Sequence, residues 1–244
     1  MIIPYPEMWL AAGMVVLYLY DSARLLGCNE VLLCRSWNGR WAACFGENRF
    51  LLRGKEPFLP NPFLPHRPLH RLAWNMEGLV GPSRPWVPPG NIYAVLAPFI
   101  WLMMFALFVL IPAGLYSRWG NLAIAAGIVL FYSSLLVLLS LIWFRRADYR
   151  LSAKTFAALA FESLTCPPFA LNVVRHLSLA YPLNDDFLSV LDRGLDGAER
   201  ASALAGVVSR LRVEAEWADE TSERSGRLNS HLQFLIREMD SCRA

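Results

Sequence analysis

Two histidines are the residues of this sequence whose type and spacing most suggest metal or acid–base chemistry. His66 and His70 are four residues apart, and on a helix this spacing places two imidazoles on one face. Prolines at 65 and 68 do not allow a helix to run through this segment. No carboxylate lies between the two histidines, and no His-Glu-x-x-His pattern occurs. We therefore predict no metal site at these positions.

Charged side chains near the histidines suggest a second kind of chemistry, at a membrane surface. In that case His66 and His70 are the candidate catalytic groups. Glu56 or Glu77 could act beside them as a general acid or base. Arg67 and Arg71 could hold a phosphate group or lie among lipid headgroups. The sequence contains no Walker A, GxGxxG, GxSxG or kinase signature. An enzyme acting on a phosphate-bearing or lipid substrate is therefore an alternative function, and no cofactor is predicted.

Composition narrows the class of protein. The 244 residues are 55% hydrophobic and 18% charged, whereas soluble domains average about 45–50% apolar and about 25% charged residues. A net charge of +3 is too small to indicate nucleic-acid binding. The apolar excess lies in three blocks of the chain, which excludes a disordered protein and an ordinary soluble globule. We predict the lipid bilayer as a partner and no nucleic acid.

Two of the apolar blocks are long enough to cross a membrane. Residues 92–116 and 122–144 contain no charged side chain. A spanning helix needs about 20 residues for a hydrocarbon core of about 30 Å. The polar residues 117–121 lie between the two blocks and are too few for anything but a tight turn. The segment 91–146 is therefore predicted to be a transmembrane helical hairpin.

The first apolar block is shorter. Only residues 8–20 are free of charge, and an extension to spanning length includes Glu7, Asp21 and Arg24. All three charges lie near the ends, where they can reach the membrane interface. We predict a single span within residues 1–26, and a re-entrant or interfacial segment is the alternative.

The distribution of basic residues predicts the orientation. Positive residues are concentrated in 23–90 and after Arg145 and Arg146, whereas the turn of the hairpin has only Arg118. The positive-inside rule places 23–90 and 145–244 in the cytoplasm, with Arg145 and Arg146 at the membrane interface and the N-terminus outside. This architecture resembles that of many small bacterial inner-membrane proteins, so we expect a multi-pass protein of the inner membrane.

Strand signals occur after the first span. The runs 30–35, 40–45 and 49–53 are rich in strand-forming residues, and Asn38-Gly39 is a strong hairpin signal. We predict a three-stranded meander. A two-residue turn pairs Leu33 with Cys44 and puts Cys34 on the opposite face from Cys44. The five cysteines form no Cys-x-x-Cys pair, so neither a disulfide nor a zinc site is expected.

The remainder of the cytoplasmic loop 27–90 is rich in proline. Nine of the sixteen prolines lie between residues 57 and 89, which excludes regular helix or sheet over most of this stretch. One interpretation is a polyproline ligand for a partner. The other, which we favour, is a stiff connector along the lipid headgroups.

The segment 147–244 is predicted to be a helical cytoplasmic domain. Ser152 is the expected cap of its first helix, and a second helix over 169–180 follows the break at Pro167 and Pro168. A short third helix is expected to be capped by residue 184 or 185. Its inward-facing residues are expected to be Phe187, Val190 and Leu191.

The last part of this domain allows two structures. Residues 198–242 have a 4-3 spacing of apolar residues that is interrupted by a polar stretch. A long coiled-coil helix would make the protein oligomeric. A helical hairpin that turns near Gly226 would close a small bundle, and the glycine and the polar stretch favour this alternative.

The fold class that follows is a mainly α membrane protein with three transmembrane helices, a small cytoplasmic β-meander, a Pro-rich loop and a helical C-terminal domain. No residue pattern identifies a substrate. The leading hypothesis is a non-catalytic scaffold or assembly protein, which binds a protein partner or itself through 147–244. A subunit of an oligomeric channel or transporter is a further alternative, because three spans without a polar lining cannot form a pore alone.

Overall fold

The structure is a computed structural model that describes residues 6–35, 39–47, 51–76, 91–116, 118, 120–183, 185–195, 197–217 and 223–243. Most of these residues are helical, and a small β part accompanies them, as predicted. Contacts between residues group the chain into two compact units, each built from three separate segments. Unit 1 contains Met1–Ala23, Leu59–Pro68 and Asn91–Pro182, and unit 2 contains Arg24–Phe58, Leu69–Gly90 and Leu183–Ala244. The four-part division of the chain made from the sequence stays a prediction.

The long apolar helices belong to unit 1. The helix α1 covers Pro6–Ser22. A 3₁₀ turn at Asn91–Leu96 leads into α2 (Ala97–Phe105), and a π turn joins α2 to α3 (Ile111–Tyr116). The helix α4 covers Gly120–Phe144 and packs against both α2 and α3. The predicted helical hairpin is therefore present.

Proline explains the irregular turn between α2 and α3. Pro112 has no backbone N–H, so the carbonyl four residues before it cannot receive a regular helical hydrogen bond. The turn Ala106–Leu110 has the wider π geometry directly before this proline, and the N–H of Ile111 donates to the carbonyl of Ala106. Pro98 lies in the first turn of α2, where its missing donor costs nothing.

Small residues let α3 and α4 approach closely. A Cβ on Gly114 would lie 2.7 Å from Cγ1 of Ile124, and a Cβ on Gly127 would lie 2.8 Å from Cγ1 of Ile111. Neither position has room for a larger side chain. Small residues at these positions let the two helix backbones approach closely.

Within the described residues, two helices are long and apolar enough to cross a membrane. They are Ile92–Leu115 and Gly120–Phe144, with mean hydropathies of 2.6 and 2.5. The helix α1 has 17 residues and is shorter. These lengths and compositions are compatible with the predicted hairpin in a bilayer, whereas three spans stay a prediction.

Three short helices complete unit 1: α5 (Ala153–Thr165), α6 (Pro167–Leu171) and α7 (Val173–Ala180). Ser152 caps α5 as predicted, because its Oγ accepts a hydrogen bond from the N–H of Thr155 at 3.0 Å. The helix predicted over 169–180 is split in two at Asn172, whose ψ of 7° ends α6. The buried core combines the inner faces of α2 and α4 with α6 and α7.

Unit 2 contains two small antiparallel sheets. In the first, β1 (Arg24–Leu26) pairs with β4 (Glu56–Phe58). In the second, the strand order is β3 (Trp41–Cys44), β2 (Glu30–Arg35), β5 (Leu69–Ala73).

The prediction of a third meander strand at 49–53 is wrong. In the described part of 49–53, Leu52 forms only an isolated bridge to Lys55. Arg53 and Gly54 both have positive φ, as a tight turn between Leu52 and Lys55 requires. The third strand of this sheet, on the other side of β2 from β3, is β5. It lies inside the Pro-rich stretch predicted to be mostly irregular. It is possible there because residues 69–73 contain no proline.

The register of the β2–β3 hairpin also differs from the prediction. Leu32 pairs with Cys44, and Cys34 pairs with Ala42. Cys34 and Cys44 therefore lie on the same face of the sheet, as diagonal neighbours, and their predicted placement on opposite faces is wrong. The physical reason is the length of the connection: five residues, not two, separate the last pair, Arg35 and Trp41. Gly39 has a φ of 77°, and residue 38 of the predicted turn lies outside the described residues.

Three helices cover the inner face of the larger sheet: α8 (Phe187–Gly194), α9 (Gly197–Trp217) and α10 (Glu223–Arg243). Asp186 caps α8 through the N–H of Leu188 at 2.8 Å, one residue after the predicted position 185, and residue 184 is not described. Phe187, Val190 and Leu191 are buried, as predicted.

The end of the chain forms two packed helices. The helices α9 and α10 pack against each other, which agrees with the helical hairpin and not with one continuous helix. Gly226 lies inside α10 and not at the turn. The link between the helices falls at 218–222, which is outside the described residues.

Candidate functional site

The side chain of Arg175 on α7 is the charged centre of a densely bonded polar cluster in unit 1. Its guanidinium is 1% exposed. It donates to the carbonyl oxygens of Asn61 at 2.6 Å and Leu64 at 3.3 Å. It also donates to Oδ1 of Asn172 at 2.9 Å and to Oγ of Ser22 at 3.0 Å. Arg175 therefore fixes the loop 59–68, which has no regular secondary structure of its own.

A carboxylate and a histidine extend this cluster toward the surface. Asp21 accepts a hydrogen bond from Nδ2 of Asn172 at 2.8 Å and lies 3.0 Å from Nε2 of His176. The ring of His176 stacks on Phe169 with a centroid distance of 4.0 Å. The amide of Asn172 thus connects the positive charge of Arg175 to the negative charge of Asp21. Burial of a cation is costly unless it is bonded in this way.

A second bond holds the same loop to α1. The hydroxyl of Tyr18 donates to the carbonyl of Pro62, and Oγ of Ser22 donates to the carbonyl of Tyr18 at 2.8 Å. Tyr18 itself is 3% exposed. The loop is therefore bound from two sides, by α7 and by α1, and its residue Phe63 is held in a fixed position although its ring is largely exposed.

Below this loop lies an apolar groove of about 590 Å³, which we call the chain groove. One wall is α1 with Val15 and Tyr18, and the opposite wall is α2 and the π turn, with Trp101 and Val109. Phe63 of the loop closes one end. All the residues that line the groove are apolar or aromatic, and the tyrosine hydroxyl is already bonded to the loop. The groove can hold a hydrocarbon but offers no catalytic group.

His66 lies at the loop end of the groove. Its ring contacts Trp101 with a centroid distance of 5.4 Å. Burial lowers the pKa of His66 below its ordinary value of 6.5, and the positive charges of Arg67 and Arg175 lower it further. His66 is therefore a neutral ring at neutral pH and makes a packing contact.

No family model, curated protein or solved structure matches this chain. The functional argument therefore depends on the groove, the buried clusters and the exposed surface of the chain itself. Arg175 and the chain groove combine a charged cluster with an apolar surface, and sequence comparison assigns neither of them to a known activity.

The structure places the two predicted catalytic histidines in different environments. His66 belongs to unit 1, in the turn after Leu64. His70 belongs to unit 2, on β5, where it is 1% exposed and its ring lies 5.6 Å from that of Trp41. A common helix face is absent, because β5 begins at Leu69.

The predicted phosphate or headgroup contacts are also separated. Arg67 lies in the loop of unit 1, and Arg71 lies on β5 of unit 2 with its guanidinium 3.7 Å from the carboxylate of Glu30. Arg145 and Arg146 are exposed directly after α4, and Arg146 lies 4.4 Å above the ring of Trp143. The last pair has the exposed position that a contact with headgroups needs.

Of the two predicted acid–base carboxylates, Glu56 has a structural partner. Nε of Arg210 donates to Oε2 of Glu56 at 3.0 Å, and both side chains are 6% exposed. Arg210 also donates to the carbonyl of Gly46 at 2.9 Å and lies 4.4 Å from the ring of Phe45. Glu56 therefore serves the packing of α9 onto the sheets of unit 2. Glu77 lies outside the described residues.

Unit 2 has a cavity of about 730 Å³ with a mixed polar and apolar lining. Two of the carboxylates that line it are bonded within the fold: Asp186 accepts from the N–H of Asn75 at 3.1 Å, and Glu214 forms an ion pair with Arg224 at 2.9 Å. Burial raises the pKa of the Cys28 thiol at this cavity, and the charge of Glu214 adds to the effect.

The sequence analysis missed the cluster around Arg175. One signal was present: Arg175 is a charged residue in a short helix whose other residues are mostly apolar. A charge at a buried helical position needs partners, but its partners lie more than 100 positions earlier in the chain, at residues 22, 61 and 64. Sequence spacing cannot indicate contacts at that separation.

Proposed function

We propose that this chain is an integral membrane protein of the inner membrane with a non-catalytic scaffold or assembly role. The observation that carries the membrane part is the exposure of its apolar helices. In the most apolar windows of Ile92–Leu115 and Gly120–Phe144, only 28% and 33% of the residues are buried. The core helix of a soluble protein would be mostly buried, because its apolar face stabilises the fold only when it is removed from water.

The exposed residues of these helices are large and apolar. They include Trp101, Phe105 and Val109 on one helix and Leu122, Val129 and Leu136 on the other. A soluble monomer rarely exposes a continuous apolar surface of more than a few hundred Å². A bilayer removes this surface from water without any further protein contact.

The exposed face of α1 supports a third span. Trp9, Val16 and Tyr20 are more than half exposed on a helix of 17 residues, which is about 26 Å long at 1.5 Å per residue. That length is close to a hydrocarbon core of about 30 Å. With three spans, the basic residues after Arg145 place the C-terminus in the cytoplasm and the N-terminus outside.

Two experiments test the membrane part. The full chain should remain in the membrane pellet after an alkaline carbonate wash and should dissolve only in detergent. Alkaline phosphatase fused after Arg118 should be active, and a fluorescent protein fused at the C-terminus should fold in the cytoplasm. Release of the chain by carbonate would contradict membrane integration, and the reverse pattern of fusions would contradict the orientation.

The scaffold role is supported by the bonding partners of the buried charged side chains. Arg175 and Arg210 both bind neighbouring groups of their own unit, and neither faces the chain groove. On α9, Val213 and Trp217 are four residues apart on one face and at least half exposed. An aromatic residue exposed in this way is typical of an anchor in a protein interface.

A partner experiment tests the role. The full chain, purified in mild detergent from its host, should retain a protein partner that Trp217→Ser loses. Glu216→Ser, a change at a neighbouring exposed position, should retain it. If both variants retain the partner, this face of α9 is not the contact. The enzyme and channel alternatives stay open as hypotheses, and no contact among the described residues favours either of them.

A further inference from the structure

The chain groove has an elongated wall. This wall, on α2 and the π turn, runs from Trp101 to Val109, a rise of about 12 Å at 1.5 Å per residue. On α1, Tyr18 contacts Phe108 edge to face at a centroid distance of 5.8 Å. A groove of this length fits an extended hydrocarbon chain.

The groove is continuous with the apolar surface that the proposed function assigns to lipid. Val15, Trp101, Phe105 and Val109 line the groove and are also 41–49% exposed. Its long side is therefore open to the same surroundings as the outer faces of the helices. Water would find no hydrogen-bond partner there, and apolar cavities of this kind bind apolar ligands instead.

The end of the groove at the loop 59–68 has a different character. Arg67 is the only charged residue of this loop, and the loop has no carboxylate. The backbone N–H of Arg67 donates to the carbonyl of Leu64 at 3.2 Å, in the turn that Arg175 holds. Pro62 and Phe63 of the loop line this end of the groove, and the neighbour of Arg67, His66, contacts Trp101 of the groove wall. A positive residue at one end of an apolar groove is complementary to a phosphate attached to a hydrocarbon chain.

We propose that the chain groove binds one acyl chain of a phospholipid, with the phosphate of that lipid at the Arg67 end. The proposal rests on the proposed membrane location. The buried cluster around Arg175 acts as a positioning device, because it fixes the loop that closes the groove. The bound lipid thereby links α1 to α2 and to the loop.

Photo-crosslinking in a bilayer tests the proposal. The full chain is reconstituted into vesicles of equimolar phosphatidylcholine and phosphatidylglycerol, with a trace of each lipid carrying a diazirine in one acyl chain. After illumination, mass spectrometry locates the adducts. We expect adducts on groove residues such as Trp101 and Phe105 to exceed those on equally exposed residues of α4, such as Val137.

Two matched variants make the test specific. Val109→Trp places a large ring in the groove, and Val129→Trp makes the same change on an exposed face of α4 that does not line it. Loss of about two methylenes of chain contact corresponds to roughly a tenfold fall in occupancy. Val109→Trp should therefore reduce the groove adducts roughly tenfold, whereas Val129→Trp should leave them unchanged. Arg67→Gln should reduce them as well, since it removes the charge at the phosphate.

The outcomes separate the two proposals. A chain that does not enter vesicles at all contradicts the membrane location. A chain that enters vesicles but shows adducts spread evenly over all apolar helices overturns the lipid site alone. An absence of groove adducts together with a stable dimer in detergent would assign the groove to a second copy of the chain and would also overturn it.

Discussion

Arg175 on α7 donates a hydrogen bond of 2.6 Å to the carbonyl oxygen of Asn61, a residue 114 positions earlier in the chain. The guanidinium is completely buried, so this bond is made away from water. A charged donor in such a place strengthens the bond and makes its loss expensive. The conformation of the loop 59–68 therefore depends on Arg175 of α7 as well as on the bond from Tyr18 of α1, and both helices are distant from the loop in sequence.

Replacement of Arg175 should be strongly destabilising. In Arg175→Met the carbonyls of Asn61 and Leu64 lose the guanidinium donor and keep only the backbone N–H donors of their turns. A cost of about 3–5 kcal/mol is expected for breaking a buried charged cluster. Thermal unfolding in detergent measures the loss, and limited proteolysis should cut within 59–68. Arg224→Gln is the control, because its exposed ion pair with Glu214 is worth about 0–1 kcal/mol. Equal effects of the two variants would contradict the interpretation.

Gly206 should not tolerate a methyl group. A Cβ at this position would lie 2.4 Å from Cε2 of Phe45, whose ring also contacts Arg210. Gly206→Ala should destabilise unit 2 by about 1–3 kcal/mol, as overpacked sites do. Gly226→Ala has nothing within 4 Å and should stabilise α10 by about 0.5–1 kcal/mol. Denaturant unfolding of both variants gives the comparison, and effects of the same sign would count against it.

The thiol of Cys44 on β3 should react with alkylating reagents at a lower pH than the thiol of Cys28. A hydrogen bond from Cys34 lowers the pKa of the Cys44 thiol, while burial opposes the effect, and burial raises the pKa of Cys28. Since the thiolate is the reactive form, alkylation of Cys44 should reach half-maximal rate at a lower pH than alkylation of Cys28. Mass spectrometry after iodoacetamide pulses measures both midpoints. Cys34→Ala should raise the midpoint for Cys44, and an unchanged midpoint would disprove the contact.

Protonation of His66 should weaken unit 1. Its pKa in the folded chain is lower than its ordinary value of 6.5, so the unfolded chain takes up this proton more readily. Stability therefore falls as the pH drops below about 6.5 and stops falling once the folded form is protonated too. The midpoint of thermal unfolding between pH 7 and pH 5 should decrease less in His66→Gln than in the native chain. A parallel decrease in both would show that other groups are responsible.

Sequence patterns predicted best the elements that are defined by a long apolar run or by a local helix cap. The apolar run of α4 and the cap at Ser152 depend only on neighbouring residues, so they were predictable. The pairing of β5 with β2 was not, because nothing near Leu69 indicates a partner 35 or more positions away. The error in the hairpin register has a similar cause. The Asn38-Gly39 signal is local, whereas the face of each cysteine is set by packing on the helices of unit 2.

The candidate site was less predictable than the fold. The histidines and arginines of 66–71 attracted attention because they are close in sequence, but they are divided between the two units. The chain groove is formed by α1, the loop 59–68 and α2, and each of these contributes apolar residues that look ordinary by themselves. The loop that lines one end of it is held by Arg175 and Tyr18, and no local sequence pattern contains these contacts.

The interleaving of the two units has a consequence for biosynthesis. The chain passes from one unit to the other after residues 23, 58, 68, 90 and 182, so a ribosome cannot finish either unit before starting the other. Ser22 and Asp21 emerge early, but their partners Asn172 and Arg175 follow about 150 residues later. At a translation rate of about 5–20 residues per second, this leaves roughly 8–30 seconds in which the end of α1 has no partner. The end of α1 therefore reaches its final bonded state only after α7 has been synthesised.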